Sequence, residues 1–128
     1  MREILFRAKR IDNGGWVEGY FAIGKWYLDE KERYAILPID LCFYPHCEIN
    51  EWIEIDPETV CQYTGLKDKN GNRIWENDIV EDKRFNGFYK IVFRVRDGGW
   101  YVENINSGAL FRIIERTSCQ YERCGNIF

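Results

Sequence analysis

No segment of this 128-residue chain sustains an apolar run of the roughly 20 residues that a membrane-crossing helix needs. The opening Met1-Arg2-Glu3-Ile4-Leu5-Phe6-Arg7 lacks the apolar core of a signal peptide. Helix-period stretches are almost absent, and there is no internal repeat and no linker rich in Gly, Ser or Pro. An excess of positive charge is missing too. The net charge is -3, a poor basis for non-specific nucleic-acid binding, which depends on neutralising phosphates. The five cysteines are odd in number and show no small-scaffold spacing, which suits a reducing compartment. The expectation is a cytoplasmic protein with no membrane partner.

What is present is an ordinary globular balance, 45% hydrophobic and 30% charged. A chain of this length buries roughly two-thirds of the surface its unfolded form exposes, so no disulfide staple is required. Aromatic residues reach 16%, a bias toward pleated, half-buried surface that also suits anchoring of partners. Charge is unevenly placed: residues 1–56 carry a net of -4 and residues 57–128 a net of +1.

Period-two alternation and turn signals dominate. Ile4, Phe6 and Ala8 alternate with Glu3, Arg7 and Lys9, a half-buried strand. Asp12-Asn13-Gly14-Gly15 reads as a hairpin turn, with a return strand from Trp16 to about Ile23. Trp26–Leu28 and Arg33–Leu37 flank a charged turn, and residues 38–51 read as a loop or broken edge strand. Trp52–Ile55 is a short extended run, and Asp56-Pro57-Glu58 starts no more than one helical turn. In the second half, Lys69-Asn70-Gly71-Asn72 signals a hairpin. Ile79-Val80, Phe88–Arg96, Trp100–Ile105 and Ala109–Ile114 read as successive strands joined by Asp97-Gly98-Gly99 and Asn106-Ser107-Gly108. The expected fold is mainly β with little helix. An antiparallel meander over 1–58 joins a small SH3-like bent sheet or barrel over 59–128, within one domain spanning 1–128.

The most distinctive stretch runs from Trp52-Ile53-Glu54-Ile55-Asp56-Pro57-Glu58-Thr59-Val60-Cys61-Gln62-Tyr63-Thr64-Gly65-Leu66-Lys67-Asp68-Lys69-Asn70-Gly71 through Arg73-Ile74-Trp75-Glu76-Asn77-Asp78-Ile79-Val80. It resembles the YopX family of small proteins encoded by bacteriophages, prophages and their Gram-positive hosts. Arg2-Glu3-Ile4-Leu5-Phe6-Arg7-Ala8 is similar to that family's N-terminus, and Gly125-Asn126-Ile127-Phe128 to the start of its closing motif. The family pattern usually has Gly where this chain has Asn77, and its tail usually continues past Phe128. The resemblance implies a β-dominated, self-associating protein of mobile genetic elements in a bacterial host cell, and it supplies no catalytic residues. Within the motif, Gly65 and Gly71 meet backbone turns, Asp68 and Asn70 can bond their own turn, and Glu76, Asn77 and Asp78 form a polar corner.

Other constellations are weaker. Asp68-Lys69-Asn70-Gly71-Asn72 mimics a calcium loop, but Arg73 stands where the sharp-turn Gly belongs and Ile79 where the bidentate Glu should be. Cys42, His46 and Cys47, with Cys119 and Cys124, contain two Cys-x4-Cys spacings at the wide edge for zinc; free thiols packed as small hydrophobes are the plainer reading. His46 is the only histidine, and no Gly-rich turn accompanies it to build an oxyanion site. Glu76, Asp78, Glu81 and Asp82 could form an acid/base pair or bind a hard metal, and equally a solvated corner.

The best binding candidate is 83–96, where Lys83, Arg84, Lys90, Arg94 and Arg96 interleave with Phe85, Phe88, Tyr89 and Phe93 and no acid intervenes. On a strand, Lys90, Arg94 and Arg96 point one way and Ile91, Phe93 and Val95 toward the core, with Tyr101 and Glu103 or their neighbours opposite Arg94 and Arg96 in a normal cross-strand pairing. The leading expectation is a non-enzymatic phage or prophage accessory protein without a cofactor, acting by binding a phage or host protein or by homo-oligomeric assembly. A single-strand nucleic-acid binder using 83–96 is the alternative, and a metal-dependent enzyme the third.

Overall fold

A computed structural model describes residues 4–25, 30–38, 52–84, 87–114 and 120–128. The chain divides into two compact units, Glu3–Gln62 and Tyr63–Phe128. Both are built from antiparallel strands, and the only helix among the described residues is a single 3-10 turn. No helix among them is long and apolar enough to cross a membrane.

The first unit is a meander. Its strands are β1 (Phe6–Lys9), β2 (Trp16–Lys25), β3 (Glu32–Pro38) and β4 (Ile53–Glu54), each paired with the one before it. The first residues of β5 (Cys61–Lys67) add to the free side of β1, with Phe6 opposite Gln62 and Arg7 opposite Cys61. The β1–β2 turn falls where Asn13 and Gly14 stand: the Asn13 side chain accepts from the Gly15 N–H at 2.8 Å, and Gly14 adopts φ +71°. Ala8, Ile36 and Ile55 form the buried core, with Phe6, Val17, Phe21 and Tyr34 packed against it. That is the alternation read from the sequence, with two corrections. Ile4 is exposed, and Arg7 is buried, its guanidinium 4.2 Å above the Trp16 ring. Stacking on an indole lets a cation leave water on the side where simple alternation would put it in solvent.

Asp56 accepts from the Glu58 N–H at 3.0 Å and caps the 3-10 turn Pro57–Thr59. The buried Thr59 hydroxyl donates to the Asp56 carbonyl at 2.7 Å and accepts from the Lys9 N–H at 2.9 Å, tying the turn to β1. The runs 26–28 and 39–51 lie outside the described residues.

The second unit begins with a hairpin of the rest of β5 and β6 (Arg73–Trp75), bulged between Tyr63 and Lys67 around Gly65. There follow β7 (Asp78–Asp82), β8 (Gly87–Arg94), β9 (Gly99–Asn104), β10 (Leu110–Arg112) and β11 (Glu122–Asn126), in the sheet order β10-β9-β8-β7-β11. Ile74, Val80, Tyr89, Ile91, Trp100, Val102, Ile113 and Tyr121 make its core. The sheet is open. Among the described residues β10 and β11 stand at its two edges and do not pair with each other, so the expected SH3-like barrel is not closed. β11 itself was not legible, because Glu122-Arg123-Cys124-Gly125-Asn126 has neither alternation nor β-branched residues.

The β6–β7 turn explains one sequence detail. Asn77 adopts φ +66°, a left-handed conformation that glycine takes freely and asparagine tolerates. Its N–H donates to the Ile91 carbonyl at 2.9 Å and its own carbonyl accepts from Ile127 at 3.1 Å, so the backbone there cannot relax. Asn77→Val is expected to cost about 1–2 kcal/mol and Asn77→Gly less than about 0.5 kcal/mol, read as shifts in the urea midpoint. Equal midpoints for the two variants would remove this account of the turn.

Candidate functional site

The polar corner of the motif is a set of buried carboxylates, each held by this unit's own backbone. Asp68 is 5% exposed. One of its carboxylate oxygens accepts from the Asn70 and Asn72 N–H groups, both at 2.9 Å, and the other from the Arg123 N–H at 2.9 Å and the Asn72 amide at 3.4 Å. It closes the β5–β6 turn upon itself and fastens β11 to it. Burial pushes its pKa up, and the three backbone donors with the Asn72 amide more than reverse this, leaving it below the usual aspartate value. Gly71, φ +82°, supplies the left-handed step in this turn, and its N–H donates to the Asp68 carbonyl at 3.1 Å.

Asp78 is fully buried. It accepts from the Trp75 N–H at 2.8 Å and the Asn126 amide at 3.0 Å, and it pairs with the Arg123 guanidinium at 2.9 Å. Asp82, 2% exposed, accepts from the Arg84 N–H at 3.0 Å and pairs with its guanidinium at 3.0 Å. The Arg84 side-chain bonds hold the Asp82 carboxyl below its ordinary pKa against the opposing effect of burial. Glu76 lies in the turn, so it and Asp78 do not share a strand face; its carbonyl accepts from the Asn126 amide at 3.1 Å. Glu81 stands directly opposite Glu122 across the β7–β11 pair. Lys83 at 3.1 Å and Lys69 at 3.3 Å from Glu122 offset that repulsion, lowering the Glu122 pKa, while the bond to Glu122 raises that of Lys83.

The basic candidates of 83–96 are therefore distributed rather than gathered in a row. Lys83 faces Glu122, Arg84 faces Asp82 and Gln120, and Lys90 stands opposite Glu103. Arg94 lies 3.5 Å from Asp97 and 5.1 Å above the Tyr101 ring. β8 ends at Arg94, so Arg96 and Val95 fall in the turn, and Val95 is 85% exposed rather than core-facing. Tyr89, read as surface, is buried edge-on against Tyr121 at 5.9 Å, and Phe93, read as core, is 40% exposed. Val92 is opposite Tyr101, and Arg94 is opposite Gly99. The hairpin turn takes up four residues, 95–98, more than Asp97-Gly98-Gly99 alone implied. Phe85 lies outside the described residues.

Of the thiol and imidazole candidates, Cys42, His46, Cys47 and Cys119 also lie outside them. Cys124 is exposed, and burial of its sulfur, with Glu81 and Glu122 nearby, raises its pKa. Cys61 is buried, its thiol 3.3 Å from the Thr59 carbonyl. Among the described residues no group of three or more His, Cys, Asp or Glu side chains could hold a metal ion.

Two recesses were not anticipated. In the first unit, Ala22, Ile23, Ala35 and Trp52 line a mostly apolar groove of about 210 Å³ beside the Arg33–Glu54 ion pair. In the second, an open cleft of about 300 Å³ is lined by Leu66, Phe93, Trp100, Arg112, Ile113 and Ile114. Neither carries a sequence signature, since each gathers residues from three or more separate segments.

Compared with known proteins, the chain matches the family model described as YopX protein over residues 5–128. No curated protein matches it.

Proposed function

We propose that this chain, which belongs to the YopX family, is a non-enzymatic accessory protein of a phage or prophage that acts in the bacterial cytoplasm by assembling with copies of itself. The observation that carries this reading is the contrast between the two edges of the second unit's sheet. β11 is a guarded edge: it carries Glu122, Arg123 and Asn126 and is bulged between Arg123 and Gly125. β10 is bare. Leu110, Phe111 and Arg112 are all exposed, the strand pairs among the described residues only with β9, and Phe111 is 55% exposed although it lies on the core face, against Tyr89. Phe88 and Ile105, whose backbones are joined by the bond from the Ile105 N–H to the Phe88 carbonyl at 3.1 Å, are exposed as well.

An unpaired edge with apolar side chains is a template for another strand, and a second β10 meeting it across a two-fold axis centred on Phe111 sets Phe111 against its own copy. The test is light scattering after size exclusion at low and high salt. A defined, salt-resistant oligomer that Leu110→Lys with Phe111→Lys converts to a folded monomer is expected. A wild-type monomer across a wide concentration range would overturn the reading.

A further inference from the structure

We infer that Arg112 of one copy pairs with Glu103 of a second copy across the β10 edge, so that two ion pairs related by the two-fold axis fix the register of assembly. The inference rests on the self-assembly reading and names the contacts that make it specific. Three observations lead to it. The first is a cation without an anion: Arg112 is exposed, and among the described residues its side chain makes no ion pair and no hydrogen bond. Its guanidinium is turned toward Gly99, where a Cβ would sit 3.4 Å from a terminal nitrogen. The second is an anion without a cation. Glu103 stands between Lys90 and Leu110, yet among the described residues its carboxylate makes no ion pair either. Arg112 and Glu103 are diagonal neighbours on the same outward face of one copy, but the guanidinium lies on the far side of Tyr101 from Glu103. The third is what lies at the edge between them: Leu110, on that same face, is 41% exposed.

Strand register decides which residues meet. With the axis at Phe111 of an antiparallel pair, residue 110 of one copy faces residue 112 of the other. Each row of the outward face then runs Lys90, Glu103, Leu110, the partner's Arg112 and the partner's Tyr101. Neighbouring strands lie about 4.8 Å apart, so Glu103 and the partner's Arg112 are separated by roughly 10 Å at the backbone. Two long side chains extended toward one another span that gap, and the arginine stem lies along Leu110 and covers it from water. The same pairs discriminate against the neighbouring registers. An axis at Arg112 would set the two guanidiniums against each other, a repulsive pairing. An axis at Leu110 would place Arg112 opposite Gly108, out of the row of Glu103. Only the register centred on Phe111 both stacks the exposed ring on its copy and gives each charge an opposite one.

Sedimentation equilibrium of the whole chain at low ionic strength tests it, with circular dichroism confirming that each variant is folded. Arg112→Glu alone puts two acids in each row and Glu103→Arg alone puts two bases there, so each is expected to self-associate at least about tenfold more weakly than wild type. Mixed in equal amounts, the two variants regain both opposite-charge pairs, and association is expected to return to within about threefold of wild type. Should either reversal fail to fold, the neutral set Arg112→Gln, Glu103→Gln and both together answers the same question. The double variant is then expected to associate no more weakly than either single one, because both singles remove the same pair. Reversals that associate like wild type, a mixture no tighter than its components, or additive losses in the neutral set would overturn the pairing and leave self-assembly standing. A wild-type chain that stays monomeric would overturn both.

Discussion

Gly19→Ala is expected to destabilise the protein by about 3 kcal/mol or more, the largest effect of any glycine-to-alanine change in this chain. Gly19 sits in the middle of β2, between Phe6 on β1 and Pro38 on β3. A Cβ built there falls 1.9 Å from the Leu37 carbonyl oxygen, 2.8 Å from its carbon and 3.1 Å from the Ile36 side chain. The first two contacts are backbone, so no rotamer change relieves them. β3 must move away, and the β2–β3 ladder is the longest pairing in the unit. Against a typical total stability of about 5–15 kcal/mol, such a loss is enough to leave the first unit substantially unfolded. Gly24, in the same strand, has open space around its would-be Cβ and no positive φ. Gly24→Ala is accordingly expected to stay within about 0.5 kcal/mol of wild type. Urea unfolding of the two variants checks the pair, and matching midpoints would show that β3 is not held where the ladder places it.

Nothing in a single sequence marks Gly19 off from Gly24. Both interrupt a period-two pattern, and both read simply as weak points in a strand. Their difference lies in which strand passes alongside, and at what height, which is a property of pairing register. The same limit runs through the rest of the molecule. Meander order was legible because each connection is short and each turn declares itself in Asn, Asp and Gly: Asn13-Gly14, Asn70-Gly71 and Gly98 all fall in the expected turns. Strand ends were less so: β8 stops at Arg94 and the turn takes residues 95–98, which removes Val95 and Arg96 from the strand, while Tyr89 shares the core-facing side of Ile91. Charge partners were the least legible. The run 83–96 contains no acid, so it reads as a basic stripe, but its acids come from elsewhere: Glu122 on β11, Glu103 on β9, Asp82 one strand back. The cleft beside Phe93 and Trp100 could not be read at all, because its lining comes from separate segments of the chain.

Asp68 is where the motif's chemistry has the clearest consequence for stability. Asp68→Ala is expected to cost about 3 kcal/mol, because it strands the N–H groups of Asn70, Asn72 and Arg123, all of which donate to a buried carboxylate at 2.9 Å. Asp68→Asn keeps the shape and one acceptor oxygen, but turns a charge-assisted acceptor into a neutral group with two donors of its own; an intermediate loss follows. The sign of the pH dependence comes from the direction of the shift. The folded-state pKa lies below the ordinary value of 3.8, so the unfolded chain binds this proton more readily. The stabilisation is complete above the unfolded value and disappears as pH falls through the folded one. Asp82, shifted the same way by Arg84, adds to the same slope. Wild-type urea midpoints should therefore be flat with respect to Asp68 near neutrality and fall steeply below about pH 4, and the fall should be shallower in Asp68→Asn, whose side chain does not titrate. Parallel acid limbs for the two proteins would mean that the carboxylate is no more strongly held in the fold than in the open chain, and that the turn is closed by its glycine and backbone bonds alone.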